Sequence, residues 1–201
     1  RLASRATFVG LISTLLLVGL KTAAGLIGHS QALIADAVES LSDLISTGVV
    51  LISLRVSRQP VDFDHPYGHG RAESIAAAFT GLVVVSAGIA IIWRTVQTVW
   101  SANILRPSVI ALAAVIITIV IKEALYHYLK TVGKLTNSTV LKATAVDHRK
   151  DAITSVATFI GVAGAMVGWP GLDPLAASVV ALIIFQLGYT ILKTSINELM
   201  D

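Results

Sequence analysis

The sequence predicts an all-α membrane protein, a bundle of six transmembrane helices with N- and C-termini both cytoplasmic. Three observations carry that prediction. Of the 201 residues, 55% are hydrophobic and only 13% charged, whereas soluble domains carry about a quarter charged residues. Mean hydropathy is +0.80. The apolar residues fall into runs of about 20, the length that spans hydrocarbon as a helix. These runs lack the alternation of a barrel strand.

The first run covers 7–28 and closes on "GHS". It is longer than the apolar stretch of a signal peptide. The second covers 31–54 and gives way to "RQPVDFDHPYGHGR". The third, 74–99, carries Trp93 and ends at Trp100, aromatic residues of the kind that anchor at a membrane surface. Its "AAAFTGLVVVSAGIA" brings Ala77, Gly81 and Gly88 onto a small-residue stripe, suited to close helix packing within a protomer or between two. The fourth run, 107–129, opens after "RP"; the fifth, 140–168, precedes Trp169. "GWPGLDP" separates it from the sixth, 174–196. Residues 1–201 are thus read as a single transmembrane domain. With no cysteine, disulfides and thiolate ligands are excluded.

Basic residues orient the bundle. With the N-terminus inside, the inner segments carry Arg1, Arg5, Arg55, Arg58, Arg71, Lys130, Lys134, Lys142 and Lys193, and the outer side only Arg94 and Arg106. The net charge of +3 therefore reflects topology in a lipid bilayer, and no nucleic-acid partner is predicted.

Acids lie where a bilayer tolerates them least. In "ALIADAVESLSDLISTGVVLISL", Glu39 and Asp43 stand at i and i+4 on one helix face, with Asp36 and Ser40 on or beside that stripe. In "TAVDHRKDAITS" of the fifth run, Asp147 and Asp151 repeat the spacing, with Ser155 one turn on. Intramembrane carboxylates must face one another, a cation or water. Facing one another they repel unless neutralised. The two pairs therefore predict a divalent-cation site between the second and fifth helices, with protons as the alternative occupant. The competing reading is a set of structural ion pairs with Lys21, Arg149 and Lys150. Arg149 points away from both acids of its helix, and Lys150 is placed to reach only Asp147. Asp36 fits either ligation or a hydrogen bond to a ligand. His148 packs or bonds elsewhere, and His29 and His127 read as interfacial or structural.

The inner loop "VDFDHPYGHGRAES" offers one carboxylate and two imidazoles, Asp62, His65 and His69, at a spacing suited to zinc or a similar metal. The same residues also fit an ordinary structural loop.

An acidic pair in the second of six helices, "HPYGHGRAE" in the loop after it and "DHRKDA" in the fifth together resemble the cation diffusion facilitator transporters, over essentially the whole chain. The resemblance implies a homodimeric exporter that exchanges cytoplasmic divalent metal for protons, in a bacterial inner membrane or its equivalent. Carried over by position, it implies a central transport site of Glu39, Asp43, Asp147 and Asp151 and an inner-loop site of Asp62, His65 and His69. It also implies a charge pair between Arg71, after "GHG", and Asp201, beyond the sixth helix. Zinc-transporting members commonly present His where this chain has Asp147. The all-oxygen set suits Mn²⁺ or Fe²⁺ better than Zn²⁺, although geometry can override ligand type. The family's usual cytoplasmic metal-binding domain is expected after Asp201 and is absent from these residues.

Two other classes remain on the sequence. The acids could hold a metal that activates water in an intramembrane metal-dependent hydrolase, but HExxH and GxSxG are both missing. A non-transporting metal sensor or scaffold would need soluble surface for partners, and little is left. The sequence predicts a transporter rather than an enzyme, with the transported ion and protons in place of a bound cofactor.

Overall fold

Each apolar run forms one helix, because backbone N–H and C=O groups that meet no water must be satisfied within their own segment. The computed structural model describes residues 2–57, 71–101 and 104–200. Its helices are α1 (Leu2–Ile27), α2 (Gln31–Ser57), α3 (Ala72–Trp100), α4 (Val109–Leu135), α5 (Thr139–Val167) and α6 (Leu172–Met200). All six are long and apolar enough to cross a membrane, and no strand occurs among the described residues. The chain is a multi-pass integral membrane protein. Hydroxyl groups obey the same rule as the backbone. Thr14, Thr22, Ser42, Thr80 and Thr118 each donate to the carbonyl four residues earlier in their own helix.

Two tight turns set the hairpins. His29 (φ 53°) and Asn137 (φ 50°) take the left-handed conformation just after α1 and α4. The following amides, Ser30 N and Ser138 N, then reach back to Gly25 O and Gly133 O at 3.0 and 3.1 Å. That closure satisfies carbonyls left over at a helix end. Ser138 in turn caps α5 by accepting from Leu141 N. For α2 the capping acid comes from across the bundle. Asp173 accepts from Ser30 Oγ at 2.6 Å and from Gln31 N at 2.7 Å, which ties the α1–α2 turn to the start of α6.

α4 runs to Leu135, beyond the expected end at 129. Hydropathy fades there, but Leu129, Val132 and Gly133 continue the buried face against Leu141 of α5, so packing carries the helix onward. α3 lies along α6 at backbone contact. A Cβ on Gly81 would stand 2.8 Å from Leu192 N, and one on Gly188 would stand 2.7 Å from Val85 N. Gly81 and Gly88, part of the stripe read for close packing, thus serve contacts inside the protomer. α1, α2, α5 and α4 gather around the remaining interior, with α6 against α2 and α5 and α3 against α2. That four-helix interior holds the charges.

Candidate metal-binding site

The buried face of α1 steps through Ala6, Gly10, Leu17, Lys21 and Ala24, and that of α4 through Ala114, Val115, Thr118, Lys122 and Leu125. Helical periodicity therefore drives two lysines into the protein, and both are 0% exposed. A buried ammonium requires an anionic partner. Lys21 Nζ donates to Asp36 Oδ1 at 2.9 Å and to Ser40 Oγ at 3.0 Å. Ser155 Oγ, from α5, donates to Asp36 Oδ2 at 3.0 Å, so one node joins α1, α2 and α5. Lys122 Nζ hydrogen-bonds Asp151 Oδ2 and joins α4 to α5.

Glu39 and Asp43 are placed differently. Glu39 is 8% exposed, and its Oε2 is buried without a hydrogen-bond partner among the described residues. The charges of Asp36, Asp151 and Asp43 all reach it. Asp43, half-buried on the same face of α2, is acted on by the charges of Asp151, Lys122, Asp147 and Lys21. Asp36, Glu39, Asp43 and Asp151 thus share the interior with two lysines, each already paired with one acid. Glu39 and Asp43 remain. Their formal charge equals that of one divalent cation.

Asp147 lies at the margin. Its side chain is 66% exposed and sits 3.6 Å from Lys150 Nζ, the local pair that the sequence allowed. The buried step of α5 passes through His148 instead, whose Nε2 would stand 3.5 Å from a Cβ on Gly10 of α1. Arg149 faces α4. It donates to Tyr126 Oη at 2.9 Å and its guanidinium stacks 4.6 Å from the ring centre. His127 pairs with Glu123 at the surface. Asp36 is held by Lys21 and Ser155 and is the most enclosed acid of α2.

Glu39, Asp43 and Asp151 therefore share one electrostatic neighbourhood, and Asp147 stands beside it. Among the described residues, no three His, Asp or Glu groups lie close enough together to hold an ion as they stand. Asp62, His65, His69 and Asp201 lie outside the described residues; Arg71 is exposed just before α3. Sequence reasoning missed Lys122 as a partner of Asp151. The available signal was a lone lysine in "TIVIKEAL", on the same stripe as Thr118 and Leu125.

An unpartnered carboxylate oxygen under the charge of further acids, walled by helices, is suited to attracting a hard cation and to little covalent chemistry. A family model described as the cation efflux transmembrane domain matches residues 7–200. The chain is 34% identical to the manganese efflux system protein MneP of Bacillus subtilis, an alignment covering 100% of this chain and 70% of that protein. It is 33% identical to the magnetosome protein MamB of Paramagnetospirillum magneticum, covering 88% of this chain and 60% of that one. It is 37% identical to metal tolerance protein C1 of Arabidopsis thaliana, covering 92% of this chain and 43% of that one.

Proposed function

Because the chain belongs to the cation efflux family, we propose that it exports a divalent metal cation in exchange for protons, with Glu39 and Asp43 at the centre of the transport site. The single observation that carries this reading is the buried, unpartnered Glu39 Oε2, next to Asp43 in an interior whose lysines are already paired. Asp151 contributes a third carboxylate. Asp147, on the same helix one turn away, joins when α5 turns its exposed face toward Asp43.

Both termini are cytoplasmic on this reading, in keeping with the excess of Lys and Arg on their side. The cation enters between α2 and α5 from the cytoplasm, and rocking of helices re-exposes the site outside. Repulsion within the emptied cluster draws protons onto it, which return inward. The preferred cargo is Mn²⁺, ahead of Fe²⁺ and Zn²⁺. The all-oxygen donor set and the named activity of the MneP relative support that order. The working unit is a homodimer in a bacterial inner membrane or its equivalent, with Asp62, His65 and His69 forming an accessory inner site.

Proteoliposome flux tests the reading. Wild-type protein should couple Mn²⁺ uptake to proton counterflow, and Asp43→Ala should abolish both while remaining folded and inserted. Undiminished flux in Asp43→Ala would overturn the site assignment. Metal flux that never changes vesicle pH would overturn the proton coupling.

A further inference from the structure

Of the two buried lysines, one has two hydrogen-bond partners and the other has one. Lys21 has a carboxylate and a hydroxyl as partners, and its carboxylate is itself held by Ser155. Lys122 is equally enclosed, yet among the described residues only one of its three ammonium donors is used, on Asp151 Oδ2. Its charge also acts on Asp43 and His148. Asp151 is therefore claimed from two sides: by Lys122 on α4, and by any cation resting against Glu39 and Asp43 on α2.

We infer that Lys122 is an affinity-setting residue, a tethered cation that competes with the transported ion for Asp151. This inference rests on the transport site proposed above. A divalent ion gains Asp151 Oδ2 by displacing the Lys122 ammonium, and through Oδ1 it shares a carboxylate whose charge the ammonium already draws on; on departure the ammonium reclaims it. Binding is weakened by the energy of that lost pair. The residue thereby keeps the ion from being trapped, since conduction requires a site strong enough to fill and weak enough to empty. Lys21 has no such part, because Asp36 is held by Lys21 and Ser155 together while Ser40 holds Lys21 itself.

The test is equilibrium Mn²⁺ binding and Mn²⁺ flux of the full chain, in wild type and in Lys122→Gln, Lys122→Met and Lys122→Arg. Gln and Met remove the charge, and Gln retains a donor for Asp151. Both should bind Mn²⁺ at least tenfold more tightly, with a lower KM and a lower maximal flux. Lys122→Arg keeps the cation and should stay within about threefold of wild type, since its fork fits Asp151 differently. Unchanged or weaker binding in the folded Gln and Met variants overturns the inference. So does failure of both to fold, because the pair would then be a structural necessity rather than an exchangeable contact. Asp43→Ala is the control for the underlying reading. If it loses Mn²⁺ binding while Lys122→Gln fails to tighten it, only the role of Lys122 falls; if it binds Mn²⁺ as wild type does, the site itself falls.

Discussion

Lys21 Nζ lies 2.9 Å from Asp36 Oδ1 with both side chains sealed inside the bundle. Removing one member strands a buried charge, whereas removing both leaves an apolar gap. Lys21→Met or Asp36→Leu alone should therefore destabilise the protein by about 3–5 kcal/mol. The double variant should recover most of that loss. Unfolding of the detergent-solubilised protein, followed by circular dichroism, reads both. Single variants that melt with wild type would show that the pair is not a structural pin.

Ligand softness gives a second expectation. Glu39→His places an imidazole where the unpartnered carboxylate stands, so the Zn²⁺-to-Mn²⁺ flux ratio should rise severalfold. Parallel flux of the two ions in the same vesicle preparation measures it. A ratio equal to that of wild type would remove Glu39 from the ligand set.

The α3–α6 contact predicts opposite outcomes for two glycines. At Gly188 a Cβ would meet Val85 N at 2.7 Å, so Gly188→Ala should push two backbones apart and cost about 1–3 kcal/mol. Nothing lies within 4 Å of a Cβ at Gly19, in the middle of α1. Gly19→Ala should be neutral or add up to about 1 kcal/mol through helix propensity. Thermal melts of the two variants decide the matter.

Asp173 caps α2 from another helix, and its bonds to Ser30 Oγ and Gln31 N are short and charge-assisted. Asp173→Ala should cost about 1–3 kcal/mol. Faster amide exchange over the first turn of α2, with the rest of the helix unaltered, is the local signature to seek.

Much of this architecture was legible because bilayer thickness fixes helix length, and length is a property of sequence alone. The i, i+4 spacing of Glu39 with Asp43 and of Asp147 with Asp151 was legible for a similar reason, since helix geometry is local. Relations between helices were not. That Lys122 meets Asp151 depends on how α4 slides along α5, which packing of Leu129 and Val132 against Leu141 decides. The outward position of Asp147 follows from His148 taking the buried step opposite Gly10, a choice invisible from either helix by itself. Asp173 looked like part of a turn signal in "GWPGLDP", and its cap on α2 links residues 142 positions apart.

The self-satisfied hydroxyls have a mechanical consequence. A serine or threonine bonded to its own helix adds no adhesive between neighbours, and most of those in this bundle are spent in that way. Among the described residues, polar attachments between helices gather at separate spots, among them Lys21 and Ser155 with Asp36, Lys122 with Asp151, Arg149 with Tyr126, Gln31 with Thr98 and Asp173 with Ser30. Elsewhere the facing surfaces are greased by methyl groups and bare backbone. Friction between the helices is thus concentrated at a handful of studs, and loosening any one of them frees a long, smooth seam.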